Sequence, residues 1–223
     1  MGKISSDARK KQITEQAVEI IHRIGFSGCS IRTISGEIGI SEAAIYKHFE
    51  SKEQIIISIF SQLESKFEPL ESELSKIKDS KKKLEKFILF HLQLIEDNPR
   101  LSSLLFSEEI FKEHEVVSNK LKTLMKHRHR LLLSIISEAM SSGIMKKLDK
   151  EIVIGMIQGF IRHTILRWKL GGYAFSLTKT GRQFLLIINK ILFRENLKIT
   201  NCHSCDYRHT FPERFRGFLH SKQ

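Results

Sequence analysis

GEIGISEAAIYKHFESKEQII, residues 36–56, is too polar for a core and too regular for a loop. Gly39 suits the left-handed backbone of a tight turn. Ahead of it, Ser30 can cap a helix from Ile31 to about Ile38. After it, Ser41 can cap another, from Glu42 to about Phe49. Ser51-Lys52-Glu53-Gln54 then reads as a capping box opening a further helix to about Phe67. Two short helices joined by a glycine turn form a helix-turn-helix, whose second helix enters the DNA major groove. Such a unit needs an apolar inner face, supplied by Ile31, Ile34, Ile38, Ile40 and Ile45. Its outer face must be small or polar, as are Ser41, Glu42, Ala43, Ala44, Lys47 and His48.

Working outward, the remaining sequence is helical in pattern. Ile13, Ala17, Ile20, Ile21 and Ile24 share one face of a helix over 7–24, which Gly25 ends. Glu68-Pro69 reads as a break, followed by a charged segment over 71–83. Further helices are expected over 80–96, 101–111, 115–142 and 179–197, with another capped by Asp149 and running to about Leu170. There are 3 prolines in 223 residues, and no alternating Val/Thr/Tyr runs bounded by hairpin turns. The expected fold class is therefore all-α. The expected organisation is a helix-turn-helix domain over 1–53, a larger helical ligand-binding and dimerisation domain over 54–199, and a polar, poorly ordered tail over 200–223.

The formal charge is +12, which favours polyanionic partners, nucleic acid first. Residues 1–50 hold only seven basic against six acidic residues, so a DNA-binding head must array its cations on one face. Lys3, Arg9, Lys10, Lys11, Arg32, Lys47 and Lys52 are the candidates, with Glu15 and Glu19 placed elsewhere. Three cysteines are too few for a disulfide scaffold, which points to the cytoplasm. No apolar run approaches the ~20 residues of a membrane span, so no membrane partner is expected. The sequence has no nucleophile-elbow, phosphate-loop, dinucleotide-binding or zinc-protease motif. No enzyme activity and no cofactor are expected.

The segment GFSGCSIRTISGEIGISEAAIYKHFESKEQII resembles the N-terminal domain of the TetR family of bacterial transcriptional regulators. The likeness rests on Gly25-Phe26, Ser30-Ile31-Arg32-Thr33-Ile34, Gly39-Ile40-Ser41, Ile45-Tyr46-Lys47-His48-Phe49 and Ser51-Lys52-Glu53. It implies a homodimer that binds a double-stranded, (pseudo)palindromic operator and is released from it by a small ligand. Within it, Arg32, Thr33, Ser41, Glu42, Ala43, Ala44, Tyr46, Lys47, His48 and Lys52 are the DNA-binding candidates. Ser41, Ala43, Ala44 and Lys47 match groove-facing positions; Tyr46, His48 and Lys52 match positions used on phosphates or at the domain hinge. Glu42 stands where Lys is frequent, and Ala43-Ala44 where Gly-Thr or Gly-Ser is frequent. Glu42 can accept from a cytosine N4, or simply suit the start of a helix.

In the larger part, Ile152–Ile161 and Phe184–Phe193 are apolar nearly all round. Helices of that kind are covered on both sides, which calls for a second copy of the chain. Gly155 and Gly159 would let helices approach closely there. Fifteen Phe against three Tyr and one Trp suggest a lipophilic effector. The candidate pocket walls are Phe87, Phe90, His91, Leu94, Phe106, Phe111, Met125, Met156 and Phe160, with Gln158, Arg162 and His163 to orient a ligand. Lys126-His127-Arg128-His129-Arg130 reads as a solvated run. The alternative function is a metal- or redox-sensing regulator acting through Cys202 and Cys205, whose Cys-x-x-Cys spacing followed by His suits zinc or a thiol switch.

Overall fold

The structure is a computed structural model and describes residues 5–107, 110 and 114–194. Among these, the regular structure is helical apart from an isolated antiparallel bridge between Met145 and Phe193. The expected tail, with Cys202 and Cys205, and Phe111 lie outside the described residues.

Four helices build the head. Helix α1 spans Ser6–Gly28, α2 Ile31–Ile38, α3 Glu42–Tyr46 and α4 Lys52–Ser65. Each starts where a serine hydroxyl accepts from the third amide onward: Ser5 from Ala8, Ser30 from Thr33, Ser41 from Ala44 and Ser51 from Gln54. Gly39 closes α2 with φ 74°. Gly25, expected to end α1, instead kinks it with φ 81°, and one more turn follows to Gly28. That turn drops Phe26 into the core, 2% exposed. The third helix is shorter than expected, since Lys47 and His48 already form a turn. Ile31, Ile34 and Ile45 are buried as the inner face requires, while Ile38 and Ile40 are only half-buried.

Among the described residues, six helices build the body: α5 Glu68–Lys76, α6 Ser80–Glu96, α7 Leu101–Leu105, α8 Glu115–Ser141, α9 Lys150–Leu170 and α10 Leu177–Leu192. Helix α5 overturns the expected charged segment. Pro69 stands in its first turn, where no amide donor is needed, and so starts the helix rather than breaking one. Leu70 and Leu74 bury its inner side. Helix α10 begins at Leu177 and ends at Leu192, short of the expected Leu197. Phe193 turns extended there so that Arg194 can donate to the Ile144 carbonyl at 2.9 Å.

Helix α6 is the centre of the body and packs against α5, α8, α9 and α10. At the α6–α10 crossing, a Cβ on Gly181 would stand 2.4 Å from Leu92 Cδ1, so any larger residue there would force the Leu92 side chain to shift. Helix α4 belongs to both parts, packing on α1 in the head and α8 in the body. Phe60 and Phe87 are almost wholly buried, each burial stabilising the fold by about 2–3 kcal/mol.

Candidate DNA-binding head and effector cavity

The helix-turn-helix presents Arg32, Ser41, Glu42, Ala43, Tyr46 and Lys47 to solvent, with Thr33, Ala44 and His48 half-buried. Ser41 and Thr33 are already engaged in helix caps, Thr33 Oγ1 lying 2.7 Å from Ser30 Oγ. His48 Nδ1 lies 3.4 Å from Ser6 Oγ, bringing the end of the reading unit against the start of α1. An ion pair between Arg23 and Glu37 fastens α1 to α2. Lys52 turns inward: its Nζ donates to the Phe26 carbonyl at 3.2 Å and stands 4.0 Å above the Phe26 ring.

That contact is part of a junction which the sequence did not reveal. The His114 ring packs 4.8 Å from that of Phe26, and its Nδ1 lies 3.2 Å from Glu53 Oε1. Hydrogen bonding to its own backbone amide, then to Ser51, and the nearby His114 and Lys52 hold the Glu53 carboxyl below its ordinary range, against the opposing effect of partial burial. The start of α8 is thereby pinned to α1 and α4. Nothing in the linker sequence around His114 marked it. Below the junction, Lys120 Nζ donates to Glu64 Oε2 at 2.6 Å, a second tie between α8 and α4. Cys29 lies buried in the head, and burial pushes its thiol up to about 11; it stays protonated and inert.

The body holds a half-open cavity of about 540 Å³ walled by α4, α6, α7, α8 and α9. Phe87, His91, Leu94, Phe106, Met125, Gln158 and Arg162 all line it, joined by Leu63, Phe67 and Arg128. Phe90, Met156 and His163 stand off it. Phe90 packs on the outer side of Phe67, their ring centroids 5.5 Å apart. Met156 and His163 lie on the opposite, exposed side of α9. Phe160 stacks on Phe184 at 3.7 Å, also away from the wall. Gly155 and Gly159 border the cavity, and within the chain no atom approaches either position within 4 Å. Here their missing side chains keep the wall open.

Arg128 corrects the reading of the 126–130 run as solvated surface. It is 7% exposed. Its Nη2 donates to Glu71 Oε1 at 2.8 Å, and its guanidinium lies 4.1 Å over the Phe67 ring. Burial draws its pKa down, opposed by the hydrogen bond and charge of Glu71. The signal was present in the spacing: Arg128 stands four residues from both Leu124 and Leu132, on the buried face of α8. His91 Nδ1 lies 2.7 Å from the Phe87 carbonyl. Burial, assisted by the charge of Arg128, pushes His91 down to about 4 although the hydrogen bond to Phe87 opposes it.

An all-helical chain with a helix-turn-helix head, and a body holding an apolar cavity beside the helix shared with that head, defines a DNA-binding regulator with a ligand-binding domain. Residues 13–59 match the model of the bacterial regulatory proteins of the tetR family, and residues 45–190 that of the YsiA-like C-terminal region. The chain belongs to the TetR family of bacterial transcriptional regulators. The fatty acid metabolism regulator protein of Bacillus subtilis is 26% identical over 179 residues, covering 79% of this chain and 92% of that protein. The nucleoid occlusion factor SlmA of Vibrio atlanticus is 24% identical over 177 residues, covering 77% and 89%. Among solved structures, the transcriptional regulator FadR from Bacillus subtilis in complex with stearoyl-CoA superposes with a TM-score of 0.70 at 26% identity, over 80% of this chain and 96% of that one. The fatty acid degradation regulator FadR from Bacillus halodurans gives a TM-score of 0.73 at 20% identity, over 89% and 99%, a likeness of fold.

Proposed function

We propose that this chain is a homodimeric repressor that binds a (pseudo)palindromic operator and is released by a lipophilic effector carrying a long acyl chain. The observation that carries this reading is the double membership of α4. Its first turn, at Lys52 and Glu53, is held in the head, and Leu63 near its end lines the body's cavity. A ligand that displaces Leu63 or Phe67 moves the helix on which the reading unit is mounted. It shifts the equilibrium only by its different affinity for the two positions of that helix. The acyl-chain assignment is supported by the Phe and Leu wall and by the stearoyl-CoA complex of the Bacillus subtilis regulator.

The dimer is supported by large apolar side chains exposed on α9 and α10. Ile152 is 72% exposed on α9, and Leu186 and Ile187 are 68% and 61% exposed on α10. Patches of that kind on helix pairs are association surfaces. In this arrangement 1–53 reads DNA, with Arg32 and Lys47 on the outer face, and 54–199 senses and dimerises. Sensing through Cys202 and Cys205 has no support among the described residues.

The test is binding of the purified protein to the DNA upstream of its own gene, with random DNA in excess, alone and with stearoyl-CoA or stearate in separate arms. The expected result is a protected (pseudo)palindrome that survives competitor and is lost on adding the effector. Binding lost equally to any DNA, with a steep salt dependence, would instead describe a non-specific coat.

A further inference from the structure

The cavity's polar chemistry is concentrated between α6 and α8. Arg128 uses one nitrogen on Glu71, and its Nε and Nη1 are buried without a partner. His91 faces the Phe87 carbonyl through Nδ1. A carbonyl only accepts, so Nδ1 carries the imidazole proton and Nε2 is left as an acceptor. That Nε2 is also buried without a partner. Both side chains rest on one ring: the guanidinium is 4.1 Å from the Phe67 centroid and the imidazole 5.1 Å from it. Two residues of the cavity wall thus carry unused donors and an unused acceptor around one ring. Each such buried group destabilises the empty site while it stays unmatched.

These groups select among acyl head groups. An ester or thioester carbonyl can accept from Arg128 but leaves His91 Nε2 bare. A bare carboxylate answers Arg128, whose charge Glu71 already balances, and adds a buried negative charge. A carboxyl group that keeps a proton satisfies both sides: its carbonyl oxygen accepts from Arg128 and its hydroxyl donates to His91 Nε2.

We propose that the effector's head, buried at Arg128 and His91, is a free carboxylic acid on a long apolar chain, bound together with one proton shared between its oxygen and His91 Nε2. This rests on the effector-cavity reading above. The proton comes from solvent. Burial holds the empty His91 at about 4, and an ordinary carboxyl titrates near ~4, so near neutral pH neither free partner carries that proton. The pair holds it jointly once bound. The other charged and titratable groups around this wall are Glu64 on α4, Glu71 on α5, Lys126, His127 and His129 on α8, and Arg162 on α9. His127 leans on Glu71 and His129 on Glu151, each at 3.5 Å.

The experiment is calorimetric titration of the full chain with dodecanoate, methyl dodecanoate and dodecanol, between about pH 6 and pH 7.5, in buffers of different ionisation enthalpy. Uptake of one proton weakens dodecanoate binding about tenfold per pH unit. The ester and the alcohol should show no slope. His91→Phe, which fits the aromatic neighbours but offers no acceptor for the carboxyl proton, should flatten the dodecanoate slope, while a His127→Gln/His129→Gln double variant should keep it. Dodecanoate binding without pH dependence, or a slope that survives His91→Phe, overturns the proposal and leaves the effector cavity standing. Failure of all three probes to bind overturns both.

Discussion

Gly39 holds φ at 74° between the two helices of the reading unit, and a Cβ there would touch nothing within 4 Å. Its requirement is therefore conformational. Gly39→Ala should destabilise the fold by about 1 kcal/mol, lowering the melting temperature by roughly 2–4 °C for a chain of this size. An unchanged melting curve would contradict this. At His91 the burden is electrostatic. Its folded value of about 4 lies below the ordinary 6.5, so the unfolded chain takes up the proton first. That contribution to stability is intact above about pH 6.5 and declines as pH falls toward about 4. His91→Phe, which fits its aromatic neighbours Phe67, Phe87 and Phe90, should lose less stability than the wild type between about pH 7 and pH 5. Urea midpoints at the two pH values measure this.

At the scale of elements, the start of α10 is fixed from a distance. Glu96, the last residue of α6, accepts from the amides of Leu177 at 2.9 Å and Thr178 at 3.1 Å. Burial pushes its carboxyl up, but hydrogen bonds from Thr178, Ser176 and the two amides outweigh that and hold it below its ordinary value. The stabilisation is present above the unfolded carboxyl's range and fades as pH falls through the lower folded value. Glu96→Ala should cost about 1 kcal/mol at neutral pH, and the difference from wild type should shrink in acid; a gap that widens in acid would refute the cap. Most helix starts were legible because each carries its own Ser or Asp cap, as at Ser30, Ser41, Ser51 and Asp149. Helix α5 was not, since Glu68-Pro69 serves equally to stop one helix and to start the next, and only the buried Leu70 and Leu74 decide. The cavity was legible in its aromatic wall on α6 and less so on α9. There, apolar side chains surround the helix, and rotation about its axis, which sequence does not fix, determines that Gln158 and Arg162 line the wall while Met156 and His163 do not. Arg128 was hidden by its basic neighbours, which give the run 126–130 the pattern of a solvated segment although Arg128 alone among them is buried.

At the scale of the molecule, the apolar face on α9 and α10 should decide the oligomeric state. Ile187→Lys places a charge at a position 61% exposed in the single chain, so it should fold normally yet sediment as a monomer and lose operator affinity. A variant that still sediments as a dimer would locate the interface elsewhere. The glycine contact at the crossing of α6 and α10 bears on how such an assembly would work. With Leu92 seated against the Gly181 backbone, these two helices lie close together at their crossing. On the dimer reading, the cavity wall on α6 and the pairing surface on α10 would then move together. An effector pushing against that pair would find a fulcrum, and the yielding side would be the opposite one, where α4 meets α8 through the Glu53–His114 and Glu64–Lys120 pairs. Two copies joined there would have a common axle, with the heads swinging as levers on either side.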